Sequence, residues 1–415
     1  MRVDRQRGWL ALLTAMAAAL FAAVTDGQVT NRSPNVAVYA SVGEELIIFS
    51  VDVARATLTR QSSVTLPGFV QEGWASPSMP FLYIAWSNGG TSYAGSGVAP
   101  KGDQHGVTAF RVDASGGLHA EGTPGALRSR PIHITGDGPG RHLLVAYNDP
   151  SGVSVHTLNA DGTVGAEVPQ SGALDVGIYA HQVRVLPGNK GVILVTRGNQ
   201  ATSTTPEDPG AVKVFRYDAG KLSNVASIAP GKGIEFRSRH LDFHPTGPWV
   251  FLTLESQNRL AVFRRDGDSL GAAPIFSKST LANGGGVMPG QTTSSVHVHP
   301  NGQVVYVANR GATRQNFNEI AVFRINQQTG EPTLIQNIDT HGFTPRTFAV
   351  DPSGRMLVVG NQTTMAVRDG GAATTVPANL ATFRILADGR LEFANRYDIA
   401  VGQKPLWWMG LAQLR

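Results

Sequence analysis

The chain contains no cysteine, which excludes disulfides, thiolate metal centres and a cysteine nucleophile. Charged residues are few, at 16%. The net charge of +5 is spread along the chain without a basic run. No interleaving of basic and aromatic residues marks a nucleic-acid surface, so nucleic acid is not an expected partner. Uninterrupted helical stretches are missing too, because glycine breaks almost every candidate. There is no GxSxG elbow, no HExxH pair and no carboxylate-rich calcium loop. The run Gly136-Asp137-Gly138-Pro139-Gly140 lacks the spacing of a dinucleotide fingerprint, and Gly231-Lys232 lacks the hydroxyl residue of a phosphate loop. Neither a metal nor a cofactor is expected.

Long apolar runs are absent except at the start. Arg2, Arg5 and Arg7 precede an apolar stretch from Trp9 to Val24. This is the layout of a secretory signal, assigned to residues 1–27, and it implies a periplasmic or secreted protein. The stretch is short for a membrane span. An uncleaved anchor is the alternative and would be the only link to a membrane. Without disulfides, residues 34–415 must be stable through their core, and the chain is long enough for that.

What the chain has in quantity is self-similarity. The segments 181–198, 238–256, 294–311 and 345–362 each read as a short alternating strand, a turn with proline, then a more continuously apolar strand. RPIHITGDGPGRHLLVAYND (130–149) fits with Gly138 in the proline slot, and FLYIAWSN (81–88) marks a divergent unit. A third strand follows each, as in LAVFRRD (260–266) and IAVFRIN (320–326), and several show a weaker fourth. The turn prolines Pro187, Pro245, Pro300 and Pro352 recur at 58, 55 and 52 residues. Four antiparallel strands per repeat of this length are propeller blades. The segment 35–52 resembles second and third strands, and KPLWWMGLAQLR a lone first strand. The fold expected is therefore all-β, a seven-bladed β-propeller closed by joining the N- and C-terminal strands in one blade. Insertions at 88–106 and 199–210 belong in loops.

Counting from the turn prolines exposes a polar pattern. Six residues before them stand His181, Arg239, Ser294 and Arg346; ten after stand Arg197, Glu255, Arg310 and Gln362. The minus-six positions share strand parity with apolar residues such as Leu241 and Val296, yet they are polar. The start of the first strand lies beside the end of the second. All eight positions are therefore expected at one mouth of the central channel, as a recess with excess positive charge suited to an acidic or oxyanion-forming small molecule. Histidines 244 and 299, just before turn prolines, are expected to brace those turns.

The stretches SRHLDFHP with TLES, SVHVHPNGQVVYVANRG with IAVFRI, and TPRTFAVDPSGRMLVVGNQ resemble the seven-bladed propeller lactonase family, which includes 6-phosphogluconolactonases and carboxy-muconate cycloisomerases. The resemblance implies that His181, Arg239, Glu255 and Arg310 are catalytic, and the remaining four counted positions would bind substrate. Two positions depart from the family pattern: Tyr179, where a second histidine often stands, and Arg197, where an aspartate often stands. The implied activity is 6-phosphogluconolactonase-like hydrolysis of a lactone or sugar-acid substrate. Either Glu255 or His181 would take the water proton; arginines beside Glu255 make it a weak base, which favours His181. The alternatives are a non-catalytic exported binding or scaffold module, since propellers host both kinds of function, and a muconate-type cycloisomerase. The oligomeric state is left open.

Overall fold

The computed structural model describes residues 35–90, 102–282, 286–311, 313, 315–369 and 372–415. The expected leader and most of the insertion at 88–106 lie outside these residues. The insertion at 199–210 contains no strand, as expected.

Among the described residues, seven antiparallel sheets form the blades, and one two-stranded hairpin, Met365–Asp369 with Ala372–Val376, projects from the sixth. The inner strands, in chain order, are Phe69–Ala75, Pro131–Gly136, Ala180–Val185, Ser238–Phe243, Thr292–Val298, Phe343–Val350 and Leu406–Gln413. The last of these closes the ring. It pairs antiparallel with Val36–Val42, which leads into Glu45–Asp52 and the largely exposed Thr57–Thr65. One blade thus takes its first strand from one end of the chain and three from the other.

The apolar sequence runs explain how the ring is held. Second strands such as Trp249–Leu254 are buried throughout, because both faces meet a neighbouring blade. Among the described residues the buried apolar side chains fall into seven clusters, each bridging one pair of adjacent blades. The cluster joining Val36–Val42 and Glu45–Asp52 to Met356, Val358 and Leu380 completes the circle. Each fully buried phenylalanine in these seams, such as Phe263 or Phe323, contributes about 2–3 kcal/mol of transfer free energy.

The His-Pro turns brace the structure as expected, and they do so between blades. His244 Nδ1 accepts from the N–H groups of Thr246 and Gly247, so its Nε2–H donates to the Gly302 carbonyl in the next blade at 2.8 Å. His299 repeats the arrangement with Gly354, also at 2.8 Å. Gly302 has φ +73°, and a Cβ there would stand 2.7 Å from the His244 ring, so both conformation and space require glycine.

One feature of the inner strands corrects the parity expected from the sequence. In all seven blades the pairing of first and second strands slips by a β-bulge near the end away from the turn. In the fourth blade Ser238 pairs Leu254 and Leu241 pairs Leu252, so Arg239 and His240 share Thr253 as their partner. Thr253 Oγ1 stitches the bulge, accepting from the His240 N–H at 3.1 Å and lying 3.2 Å from the His240 carbonyl. A bulge turns two successive side chains out of simple alternation. The minus-five residues, among them Gln182, His240, Ser295 and Thr347, therefore reach the channel wall.

Candidate active site

At the bulged strand ends, three blades deliver guanidinium groups to one carboxylate. Glu255, ending the fourth blade's second strand, accepts from Arg197 Nη1 at Oε2 (3.1 Å) and from Arg239 Nε (3.2 Å) and Arg310 Nη2 (2.7 Å) at Oε1. Arg310 is steadied by a 3.2 Å hydrogen bond from its Nε to Thr292 Oγ1. Burial would raise the Glu255 pKa, but the charges of Arg197, Arg239 and Arg310 outweigh it and bring the carboxyl down to about 2. Burial and the neighbouring Arg310 press the Arg239 pKa downward, yet a guanidinium remains protonated at any physiological pH. Three cations on one carboxylate leave the cluster positive.

His181 lies within the same assembly, buried at 5% exposure. Burial, then Arg239 and His240, hold its pKa well below the ordinary histidine range, so the ring is neutral near pH 7. Its Nδ1, together with Arg239 Nη1 and both amide atoms of Gln362, is buried with no hydrogen-bond partner among the described residues. Buried polar atoms without partners are rare in folded proteins and mark places where a ligand or water belongs.

The other predicted positions divide. The Arg346 guanidinium sits over the Trp407 ring, 3.8 Å from its centre, and donates to the Trp407 carbonyl at 3.0 Å. Burial holds its pKa down to about 10. Ser294 is fully buried, and its hydroxyl bonds the Pro345 carbonyl at 2.7 Å. That hydroxyl joins two blades, which is a structural task and explains a polar residue at this position without a ligand. Arg197 stacks on Tyr179 at 4.2 Å, so the two departures from the family pattern contact each other.

Two hollows flank the cluster. One, of about 480 Å³, is lined by Glu207, Arg237, Ser256 and Gln257 among others. Arg237 is buried there against Glu207 at 3.3 Å. The other, of about 280 Å³, runs down the channel between the inner strands and includes Glu72, His133 and His240. None of the eight counted residues lines either hollow.

Sequence counting missed Glu72, His133 and His240. The signal was present: Gly138 had been placed in the proline slot, which puts His133 five residues before it, level with His240 before Pro245. Among the described residues no group of three or more His, Asp or Glu side chains is arranged to hold a metal ion. No described helix is long and apolar enough to cross a membrane.

The fold and the site together define a seven-bladed propeller in which successive blades bring arginines, an imidazole and one carboxylate together. The chain belongs to the lactonase family of seven-bladed β-propellers: the family profile described as "Lactonase, 7-bladed beta-propeller" matches residues 49–368. It is 26% identical over 361 residues to the 6-phosphogluconolactonase of Pectobacterium carotovorum subsp. carotovorum (strain PC1), covering 86% of this chain and 93% of that protein. To the 6-phosphogluconolactonase of Bacillus subtilis (strain 168) it is 28% identical over 269 residues, 63% of this chain and 72% of that one. In structure it resembles the periplasmic gluconolactonase of Pseudomonas aeruginosa, with a TM-score of 0.64, 18% identity, and 92% and 99% of the two chains covered. At that identity the likeness concerns the fold.

Proposed function

We propose that this lactone hydrolase opens its substrate at the Glu255 cluster without a metal or cofactor. The observation that carries the reading is the convergence of Arg197, Arg239 and Arg310 on one carboxylate, with unpartnered polar atoms of His181 and Arg239 beside it. The 6-phosphogluconolactonase names of the sequence relatives support a sugar-acid lactone as substrate.

In the proposed reaction His181 takes a proton from water as the water oxygen bonds to the lactone carbonyl carbon. The electron pair of the carbonyl moves to its oxygen, which Arg310 and the free Nη1 of Arg239 hold as an oxyanion. The ring C–O bond then breaks and the His181 imidazolium returns its proton to the departing oxygen, giving a hydroxy acid. A depressed histidine pKa makes a weak base, but one that is unprotonated and available, and whose conjugate acid donates readily. Glu255, brought down to about 2 by three guanidiniums, is a poor base and serves to orient the arginines. Arg197, Arg346 and Gln362 would contact the rest of the substrate.

A leader over residues 1–27 would export the protein. Outside the cytoplasm phosphorylated sugar acids are scarce, which favours an unphosphorylated lactone. The deciding experiment is a pH-stat assay of the leaderless protein on a lactone panel that includes glucono-δ-lactone and its 6-phosphate. Turnover that falls in Arg310→Ala and His181→Ala supports the reading. Undiminished turnover in both variants, or none by the parent protein, removes it.

A further inference from the structure

The hollow of about 280 Å³ is the central channel itself, since all seven inner strands contribute to its wall. It lies below the bulges, on the turn side of the arginine cluster. Arg184 and His297, with side chains 26% and 38% exposed, mark the end at which it meets solvent. The bulges supply its upper wall: Glu72, His133, Gln182, His240 and Trp408 each stand next to a bulge residue.

Two tryptophans form rigid parts of the wall. Trp74 stacks on Tyr83 with ring centres 5.6 Å apart and planes at 27°. Trp408 is 4% exposed and lies across two glycines, where a Cβ at Gly73 or Gly410 would stand 2.5 Å from its ring. The polar wall offers both donors and acceptors. His133 Nδ1 is buried without a partner among the described residues. Gln182 Oε1 already accepts from the Leu241 N–H at 2.7 Å, so its free group is the NH₂ donor. The Glu72 carboxyl completes the set at 9% exposure.

The wall also excludes ligand classes. Arg184 is neutralised by Asp242 at 3.0 Å, so this ion pair brings no net charge that would attract an anion or a cation. An apolar molecule would strand the His133, Gln182 and Glu72 groups without partners. No metal-binding group of three ligands is found among the described residues. What fits a wall of aromatic surface together with hydrogen-bond donors and acceptors is a neutral ring bearing hydroxyl groups. The volume is at the small end for ligand pockets and admits one such ring.

We propose that the channel is a second binding site, separate from the arginine cluster, for a single neutral hexose-sized polyol ring held between Trp74 and Trp408 and hydrogen-bonded by Glu72, His133, Gln182 and His240. This holds whether or not the cluster hydrolyses lactones, because binding is measured without turnover.

The test titrates the full chain with D-glucose, with acyclic sorbitol and with sodium gluconate. Tryptophan fluorescence and saturation-transfer NMR report binding. Glucose is expected to bind saturably, and sorbitol and gluconate at least fivefold more weakly. Glu72→Gln combined with His133→Leu is expected to weaken glucose at least tenfold, while Arg310→Ala leaves it unchanged. If the double variant does not fold, protection of wild-type tryptophan from acrylamide quenching by glucose is the second readout. Absence of both saturation and protection in the wild type overturns the proposal. So does loss of glucose binding in Arg310→Ala, which would assign the sugar to the cluster, or gluconate binding tighter than glucose.

Discussion

Arg310 and Glu255, 55 residues apart and on neighbouring blades, meet at 2.7 Å on the oxygen that Arg239 also contacts. That oxygen is the point where two blades are tied and where the site charge is set. A bidentate carboxylate between three guanidiniums fixes their planes, and fixed donors stabilise developing charge better than mobile ones.

Glu255→Gln removes the one counter-charge from three clustered cations. The loss of a partner from a buried ion network costs about 3–5 kcal/mol. The pH dependence has a definite sign. With its folded pKa lowered to about 2, Glu255 contributes stability that is complete above its unfolded pKa and is lost as pH falls toward 2. Denaturant midpoints of the wild type should therefore fall between pH 5 and pH 2.5, toward those of Glu255→Gln, whose own midpoints change less. Parallel curves across that range would contradict the assignment.

Arg310→Ala should lower kcat/KM for the best lactone by roughly 10²–10³, the range for loss of one oxyanion donor. Arg310→Lys keeps the charge but not the planar fork that reaches Glu255 Oε1 and Thr292 together, and should recover only a small part. Full recovery by lysine would mean that charge alone matters there.

His181 as base predicts an unusual acid limb. Activity dependent on a neutral imidazole is lost on protonation, and here burial and Arg239 place that protonation well below the ordinary range. The kcat/KM profile should stay level from pH 7.5 down through pH 6, falling only at lower pH. His181→Gln should remove most of the rate over the whole interval. A wild-type limb centred near 6.5 would point to a less buried group.

The frame of the fold was legible because four blades repeat the same proline turn, and turn residues are local signals. Glu255, Arg239 and Arg310 were legible for the same reason: they keep a fixed distance from Pro245 and Pro300. The bulges were not legible. A register slip is a property of paired strands and has no residue type of its own, so parity placed Arg239 with Leu241 and hid His240. Ser294 shows the opposite error, a polar side chain in the counted frame whose hydroxyl serves the neighbouring backbone. Glu72 escaped because its blade looked divergent, although Pro77 occupies the usual slot six residues after Gln71.

Glu72 gives the most direct check on the channel wall as a physical environment. Burial raises its carboxyl to about 7, against the charge of Arg346, hydrogen bonds from the Gly73 N–H and the Trp408 side chain, and the charge of Arg239. A carboxyl raised above its unfolded value binds a proton in the folded state that the unfolded chain has released. Stability from this group is thus full at low pH and declines as pH rises from about 4.5 to 7. A shift of that size corresponds to about 3 kcal/mol at most. Glu72→Gln keeps the shape and cannot ionise. It should match the wild type near pH 5 and exceed it in thermal midpoint at pH 8, by a few degrees for a chain of this length. Equal midpoints at pH 8 would show that the Glu72 carboxylate is solvated and that the channel wall around it is open to bulk water.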